Sequence, residues 1–435
     1  MTQTWSNWSE SVAFQPAAIR YPESLEEIVA IVDECRRERR GLRVVGSGHS
    51  FTPLVATDGV LLSLDRYSGL EHVDVAAGAA TVRGGTKIKR LGELLSQRGL
   101  AQENLGDIDS QSIAGAISTG THGTGLTLGS LSTQVIGLTL VTGRGEVLRC
   151  SEREHPEILR AAQVSLGALG IIASVTLRVV PAYRLEYVWQ RETLAGCLEQ
   201  LGRNTAENRN FEFYWLPHTD KVMTKRMNIS QDAAHSRARH TLRHYQELVL
   251  ENSVLWLISE ACRRVPAVTP LASALIAGLV SSGADINDSH KIFATPRLVK
   301  FQEMEYSLPV ENMAVALEAI DRCIRQRRFR VHFPLECRVV RGDGIDLSPA
   351  SGRDSAYIAV HMYKGMPYRE YFAAMEFILR SYGGRPHWGK LHSLGARELA
   401  PLYPRWEHFQ EVRASLDPEG VFLNPYLRGI FGVAA

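Results

Sequence analysis

The sequence predicts a protein of two domains, each mixing helices with sheet. The chain has 435 residues, more than one hydrophobic core ordinarily covers. Residues 16–180 alternate short apolar runs with amphipathic ones, and beyond Pro181 the runs lengthen. That change of texture places the first boundary at Pro181, giving an N-terminal domain over residues 1–181.

The elements follow in order. Ser24 can cap a helix reaching Arg37, because Leu25, Ile28, Val29, Ile31 and Val32 recur at helical spacing. Leu42 to Val45 reads as a strand entering Gly46-Ser-Gly-His-Ser50. Val60 to Leu64 reads as another, and Ala79 to Arg83 as a third, closed by Gly84 and Gly85. Lys87 to Arg98 predicts a helix with Gly99 ending it. A stretch rich in glycine, serine and threonine runs from Gly106 to Gly129. Strands over Val135 to Thr142 and Val147 to Arg149 follow, with Gly143-Arg-Gly145 as their turn, and then a strand over Ile171 to Val180. In the second half, Phe211 to Leu216 and Ile358 to Tyr363 read as amphipathic strands. Val310 to Arg328 and Tyr368 to Tyr382 read as helices, and Trp406 to Tyr426 as a helix with a short return segment.

Composition excludes several classes. A net charge of +2 gives no field to draw nucleic acid or anionic lipid. The six cysteines lack metal-type spacing and read as reduced thiols of a cytoplasmic protein. Met1 to Ser9 has neither a basic stretch nor an apolar core, so no signal peptide is expected. Val265 to Ala284 is uncharged and about long enough to span a bilayer, but Pro266 and Pro270 interrupt it. A buried or amphipathic helix starting near Pro270 is expected, with no membrane contact.

The glycines are the main clue to chemistry. Gly46-Ser-Gly48 is only half of a dinucleotide fingerprint, since Phe51 stands where a third glycine belongs, and no Walker loop occurs. Another device must hold any phosphate. Successive backbone N–H groups in glycine-rich turns make anion-binding nests, and residues 46–50 and 118–125 have that composition. Read alone, His49 is a turn residue.

Taken together, the motifs carry a resemblance. Arg43-Val-Val-Gly-Ser-Gly-His-Ser-Phe51, Asp58-Gly59, Asn104-Leu-Gly-Asp-Ile-Asp109 and Gly115 to Gly125 are similar to the vanillyl-alcohol-oxidase-type flavoproteins. Trp5-Ser-Asn-Trp8, Glu303-Met-Glu-Tyr306 and Arg385-Pro-His-Trp-Gly-Lys390 resemble the aldonolactone oxidoreductases among them, with the alditol oxidases as relatives.

The resemblance implies an α+β protein: a two-domain FAD-binding PCMH-type fold with an α/β cap over residues 182–400, residues 401–435 returning to the FAD domain. It implies FAD bonded covalently to His49, whose neutral ring nitrogen is a nucleophile near neutral pH. Gly46, Ser47, Gly48 and Ser50 should bind the pyrophosphate and ribityl groups. Ser112, Gly115, Ser118, Thr119, His122 and Gly123 should line the cofactor's other side, with Ile172 near the adenine. Gly106, beside Asp107, stands at the position that gates oxygen; glycine there tends to admit it. The electron acceptor is therefore expected to be O2, or an artificial or protein acceptor.

On the substrate side, Glu336 and Arg338 are two residues apart in an apolar run. On a strand both point one way, and charges there need a purpose or a partner. The resemblance gives this pair the substrate hydroxyls, with Glu336 a candidate proton acceptor and Arg338 an electrostatic stabiliser. It places Lys390 at the flavin edge or the substrate and His361 beside the substrate, with Tyr363 a departure from the alditol oxidases' threonine. No metal is expected. The implied reaction is oxidation of the C2 hydroxyl of an aldono-1,4-lactone (L-gulono-, L-galactono- or D-arabinono-) to an ascorbate-type product, by hydride transfer to flavin N5. An alditol oxidase acting on open-chain polyols is the alternative, and a flavin-binding assembly factor without turnover a more distant one.

Overall fold

The computed structural model describes residues 4–235, 252–279, 281–294 and 298–434. Two small sheets form the N-terminal part. Ala18–Arg20, Val60–Ser63 and Leu42–Val45 make a three-stranded parallel sheet, the central strand being Val60–Ser63. The helix Leu25–Arg37 packs on it through Ile28, Val32 and Cys35, and Ser24 caps it by accepting from the Glu27 N–H. Val147–Ser151, Val135–Val141, Ile171–Arg178, Ala79–Arg83 and Leu70–Asp74 make a five-stranded antiparallel sheet. The helix expected over Lys87 to Arg98 is Ile88–Ser96, and Gly99 follows it at φ +69°.

The sheet changes between Pro181 and Arg184. Val180–Pro181 still pairs with Leu100–Ala101, whereas Arg184–Thr193 enters an eight-stranded antiparallel sheet. Its order is Gly283–Asp288, Arg184–Thr193, Lys221–Ser230, Asn210–Trp215, Leu335–Val340, Ser355–Tyr363, Phe301–Pro309 and Arg385–Pro386. Residues alternate between its faces. One face carries Phe213, Cys337, Ile358 and Met304, which cluster with Met313, Leu317 and Ile320 of the helix Met313–Arg327 and Met375 and Leu379 of the helix Arg369–Ser381. The other face looks toward the N-terminal loops.

Three expectations need correction. The central strands are not amphipathic: every residue of Leu335–Val340 and Ser355–Tyr363 is buried, because helices cover one face and the N-terminal part the other. The uncharged segment does begin a helix near Pro270, Thr269–Leu279, but small residues face inward. Ala272, Ser273 and Ala277 are buried, while Leu271, Leu275 and Leu279 are mostly exposed; Val280 lies outside the described residues. The return segment after Trp406–Leu416 is itself a helix, Pro425–Phe431, with Asn424 capping it through the Leu427 N–H. Phe422 then joins the core of Ile28, Val32 and Leu42. No helix among the described residues is long and apolar enough to cross a membrane.

Candidate functional site

Two clefts meet at His49. A narrow one is lined by Val44 to Ser50, Ser112, Gly115, Ser118, Thr119 and Ile172. The other is a cavity of about 980 Å³, lined by His49, Ser50, Gly106, Asp107, His122, Glu303, Glu305, Glu336, Arg338, His361, His387 and Lys390. His49 and Ser50 border both.

The narrow cleft is built for close backbone approach. Gly48 sits at φ +68°, open to glycine at little cost, and a Cβ there would meet Trp5 at 3.0 Å. A Cβ on Gly46 would stand 2.4 Å from Ser112 Oγ. Arg43 braces the loops: its buried guanidinium donates to Leu54 O at 2.8 Å, Leu166 O at 2.8 Å and Gly167 O at 2.9 Å. Lys87 puts a cation beside this turn, donating to Ser47 Oγ at 2.8 Å. Gly123 does not line either cleft; it packs under Leu105, where a Cβ would lie 2.1 Å from the carbonyl oxygen.

His49 stacks on Trp8 with ring centroids 5.7 Å apart, and its Nε2 is 2.8 Å from Ser110 Oγ. Burial first, then the nearby Lys390 and Lys87, hold its pKa down at about 4, so the ring is neutral at physiological pH. The loop is docked to the segment carrying Lys390: Phe51 N–H donates to Gly389 O at 2.7 Å.

The sheet supplies the opposite wall, and its register explains how. Glu212 pairs with Arg338, Tyr214 with Glu336, Glu336 with Ala359, and His361 with Glu303. Cross-strand partners share a face, as do residues two apart. Four adjacent strands therefore present Glu212, Tyr214, Glu336, Arg338, His361, Glu303 and Glu305 in one band. Arg338 Nη2 lies 2.7 Å from Asp107, its Nε 2.9 Å from Glu212, and it also pairs with Glu336. Burial alone would push its pKa down; Asp107, Glu336 and Glu212 more than reverse this and raise it. Lys225 adds a second buried cation 3.1 Å from Glu212. The Tyr214 hydroxyl lies 2.9 Å from Glu336 Oε1 and 2.8 Å from Asp107 Oδ2, its one hydrogen shared between the two acceptors. Asp107, Glu212 and Glu336 have metal-like spacing, but the Arg338 guanidinium already reaches all three.

Lys390 pairs with Glu303 and sits 5.3 Å from the Phe51 ring centroid. Tyr363 turns away and donates to Glu260 at 2.7 Å. The residues missed from sequence were Glu212, Tyr214, Lys225 and Lys87; Glu303, Glu305 and His387 stood in the strings that carry the resemblance but were given no role. Glu212 with Tyr214, and Glu303 with Glu305, are two apart in apolar strands, the same signal that flagged Glu336 and Arg338.

The glycine-built cleft, the neutral imidazole at its end and the charged wall beyond fit a bound flavin nucleotide, and define a flavoprotein of the two-domain FAD-binding class. Residues 16–151 match the FAD binding domain family. The fold is similar to cholesterol oxidase from B. sterolicum, with a TM-score of 0.86 at 17% identity, covering 99% of this chain and 97% of that one. Residues 175–430 match the D-arabinono-1,4-lactone oxidase family, and the chain belongs to that family. It is 42% identical to L-gulono-1,4-lactone dehydrogenase of Mycobacterium tuberculosis, over 99% of this chain and 100% of the relative. It is 34% identical to L-gulonolactone oxidase of Scyliorhinus torazame, over 99% of each chain.

Proposed function

We propose that the protein is an FAD-dependent oxidoreductase that oxidises the C2 hydroxyl of an aldono-1,4-lactone. The observation that carries this reading is the band of cross-strand neighbours, Glu336, Arg338, His361 and Glu303, facing His49 across one cavity. Residues 46–50, Ser112, Gly115, Ser118, Thr119 and Ile172 would hold the nucleotide, with His49 bonded covalently to the ring system. FAD, when bound, supplies the acceptor for the hydride that leaves C2.

The chain's own residues bind and orient. Arg338 is charged at every relevant pH and turns its guanidinium toward the Gly106–Asp107 edge of the cavity, where it stabilises negative charge developing during the reaction. Glu336, fixed by Tyr214 and Arg338, accepts from substrate hydroxyls. Lys390 adds a further cation to the cavity wall, paired with Glu303. We take the acceptor of the stored electrons to be O2, because Gly106 leaves the wall bare beside Asp107. We also place the enzyme in the cytoplasm: its six cysteines are all free thiols, as a reducing compartment keeps them.

The test is anaerobic bleaching of the bound flavin. L-gulono-1,4-lactone, L-galactono-1,4-lactone or D-arabinono-1,4-lactone should remove the visible absorbance within seconds, and xylitol or sorbitol should not. Bleaching by polyols alone, or by neither class, would overturn the reading.

A further inference from the structure

Glu303 and Glu305 have no chemical role in the reading above, yet both are buried carboxylates in the wall of the cavity. They lie two residues apart on Phe301–Pro309, and each faces a histidine. Glu305 Oε1 is 3.2 Å from His122 Nε2, and Glu303 Oε1 is 3.4 Å from His361 Nε2. Burial would raise the pKa of either acid. His122 reverses that at Glu305, and Lys390, the largest opposing influence, reverses it at Glu303, so both carboxyls are held ionised.

The orientation of the His361 ring is fixed from behind. Its Nδ1 lies 2.9 Å from the carbonyl oxygen of Pro334, and Phe301 packs edge-on against the ring with centroids 5.0 Å apart. A carbonyl only accepts, so Nδ1 carries the hydrogen. In the neutral ring, Nε2 is then a bare lone pair directed at the side of the cavity that holds Glu303 and Lys390. Lys390 already pairs with the same Glu303 oxygen, so the resting site does not require a second positive charge. A proton arriving at Nε2 would gain Glu303 as its partner. Glu336 is a poorer acceptor, because Tyr214 and Arg338 already hold its Oε1 and so stabilise its ionised form.

We propose that His361 Nε2 takes the proton of the substrate hydroxyl, and that Glu303 is the positioning residue that enables it, holding Lys390 and pairing with the imidazolium once it forms. In this step the substrate O–H bond breaks and an N–H bond forms at Nε2. The electron pair of O–H becomes the second bond of the new C=O, and the hydrogen on C2 leaves with its electrons as hydride to the bound flavin. The inference rests on the functional reading above. The groups facing His361 are Glu303 and Glu305 on the neighbouring strand, and Glu336 and Arg338 on the other side. His387 and Lys390 face it from the segment after Arg385–Pro386, and His49 from across the cavity.

Two measurements on the flavin-loaded protein test it. First, ¹⁵N-histidine NMR, with His361→Asn to assign the ring, should find the ring hydrogen of His361 on Nδ1, leaving Nε2 to accept. A hydrogen on Nε2 in the resting enzyme overturns the proposal. Second, anaerobic flavin reduction by L-gulono-1,4-lactone should slow about a hundredfold in Glu303→Gln and in His361→Asn, with a much smaller change in substrate affinity. Glu303→Asp should recover part of the rate. Unchanged rates in the variants overturn the proposal. If no lactone bleaches the wild-type flavin, it is the functional reading that falls; if lactone bleaches it and the variants keep the wild-type rate, it is the proposal alone.

Discussion

Replacing Arg338 with methionine isolates the electrostatics of the charged wall. Asp107, Glu212 and Glu336 are three carboxylates held by two buried cations, Arg338 and Lys225. Methionine keeps most of the volume and removes one cation. Lys225 still covers Glu212, while Asp107 and Glu336 lose their guanidinium and share the Tyr214 hydroxyl. Each of these two groups can escape by taking a proton, and this sets a ceiling on the penalty. Protonating a carboxylate of ordinary pKa near 4 at pH 7 costs about 4 kcal/mol, three units at 1.36 kcal/mol each. Asp107 keeps some contact with solvent, so one full penalty is expected and most of the second is relieved. A loss of about 4–5 kcal/mol follows, in the range for breaking a buried pair.

The sign of the pH dependence is the sharper part. In the variant, a carboxyl that has lost the guanidinium has a folded-state pKa raised above its unfolded value. The folded chain then binds more protons than the unfolded one between about pH 4 and 7. Stability of the variant relative to wild type must rise as pH falls, by up to about 2 kcal/mol per such group between pH 7 and 5.5. Urea unfolding of both proteins, followed by tryptophan fluorescence at several pH values, measures this. A deficit that stays constant with pH, or one below about 1 kcal/mol, would refute the claim that Arg338 neutralises desolvated carboxylates.

Other outcomes follow from the same geometry. His49→Ala should release all flavin from acid-precipitated protein, whereas wild-type protein should stay yellow and fluorescent after the same treatment; flavin retained by the variant would remove His49 as the attachment point. Gly46→Ala drives a methyl to 2.4 Å from Ser112 Oγ, and purified variant should carry markedly less FAD per chain by absorbance. Gly106→Ala places a methyl 3.0 Å from His122 O at the cavity wall, and reoxidation of the reduced flavin by O2 should slow in stopped flow while reduction by lactone is kept. The ring of His332, fully buried, has its pKa held down to about 4 by burial alone. The folded state therefore binds fewer protons there than the unfolded chain between about pH 4 and 6.5, and stability is lost as pH falls through that window, by up to about 1.4 kcal/mol per unit. His332→Gln, a neutral amide able to keep the 2.9 Å contact with Ser259 Oγ, should shift the acid-unfolding midpoint downward.

What could be read from the sequence was whatever depends on near neighbours. The turn at Gly46-Ser-Gly48 and the Glu336–Arg338 pair each need only local spacing, and both fall where that spacing puts them. What could not be read was which strands lie side by side. Nothing near Glu303 in the chain indicates that His361, fifty-odd residues on, is its cross-strand partner. Nothing near Glu212 points to Arg338, more than a hundred residues away. The amphipathic reading of Ile358 to Tyr363 failed for the same reason. A strand with helices on one face and a second domain on the other has no wet side to betray its period.

The same physics says how the missing residues should be sought. A lone charge in an apolar strand is ambiguous, but charges two apart share a face, and a face with charge must be opposed by more charge or by a ligand. Glu303 with Glu305 and Glu336 with Arg338 satisfy this, Glu212 with Tyr214 sets a charge beside a polar hydroxyl, and three such strands in one chain cannot all be solvent-facing ladders when their flanks are Phe, Met, Leu and Val. They require a common cavity, and a sheet provides one only if the three strands are near neighbours. The order Asn210–Trp215, Leu335–Val340, Ser355–Tyr363, Phe301–Pro309 is that solution, with Ser355–Tyr363 contributing His361 and the small Ala359 between Glu336 and Arg338 on one side and Glu303 and Glu305 on the other. Ala359 pairs with both Glu336 and Glu305, so a larger residue there would press on the two carboxylates from between them.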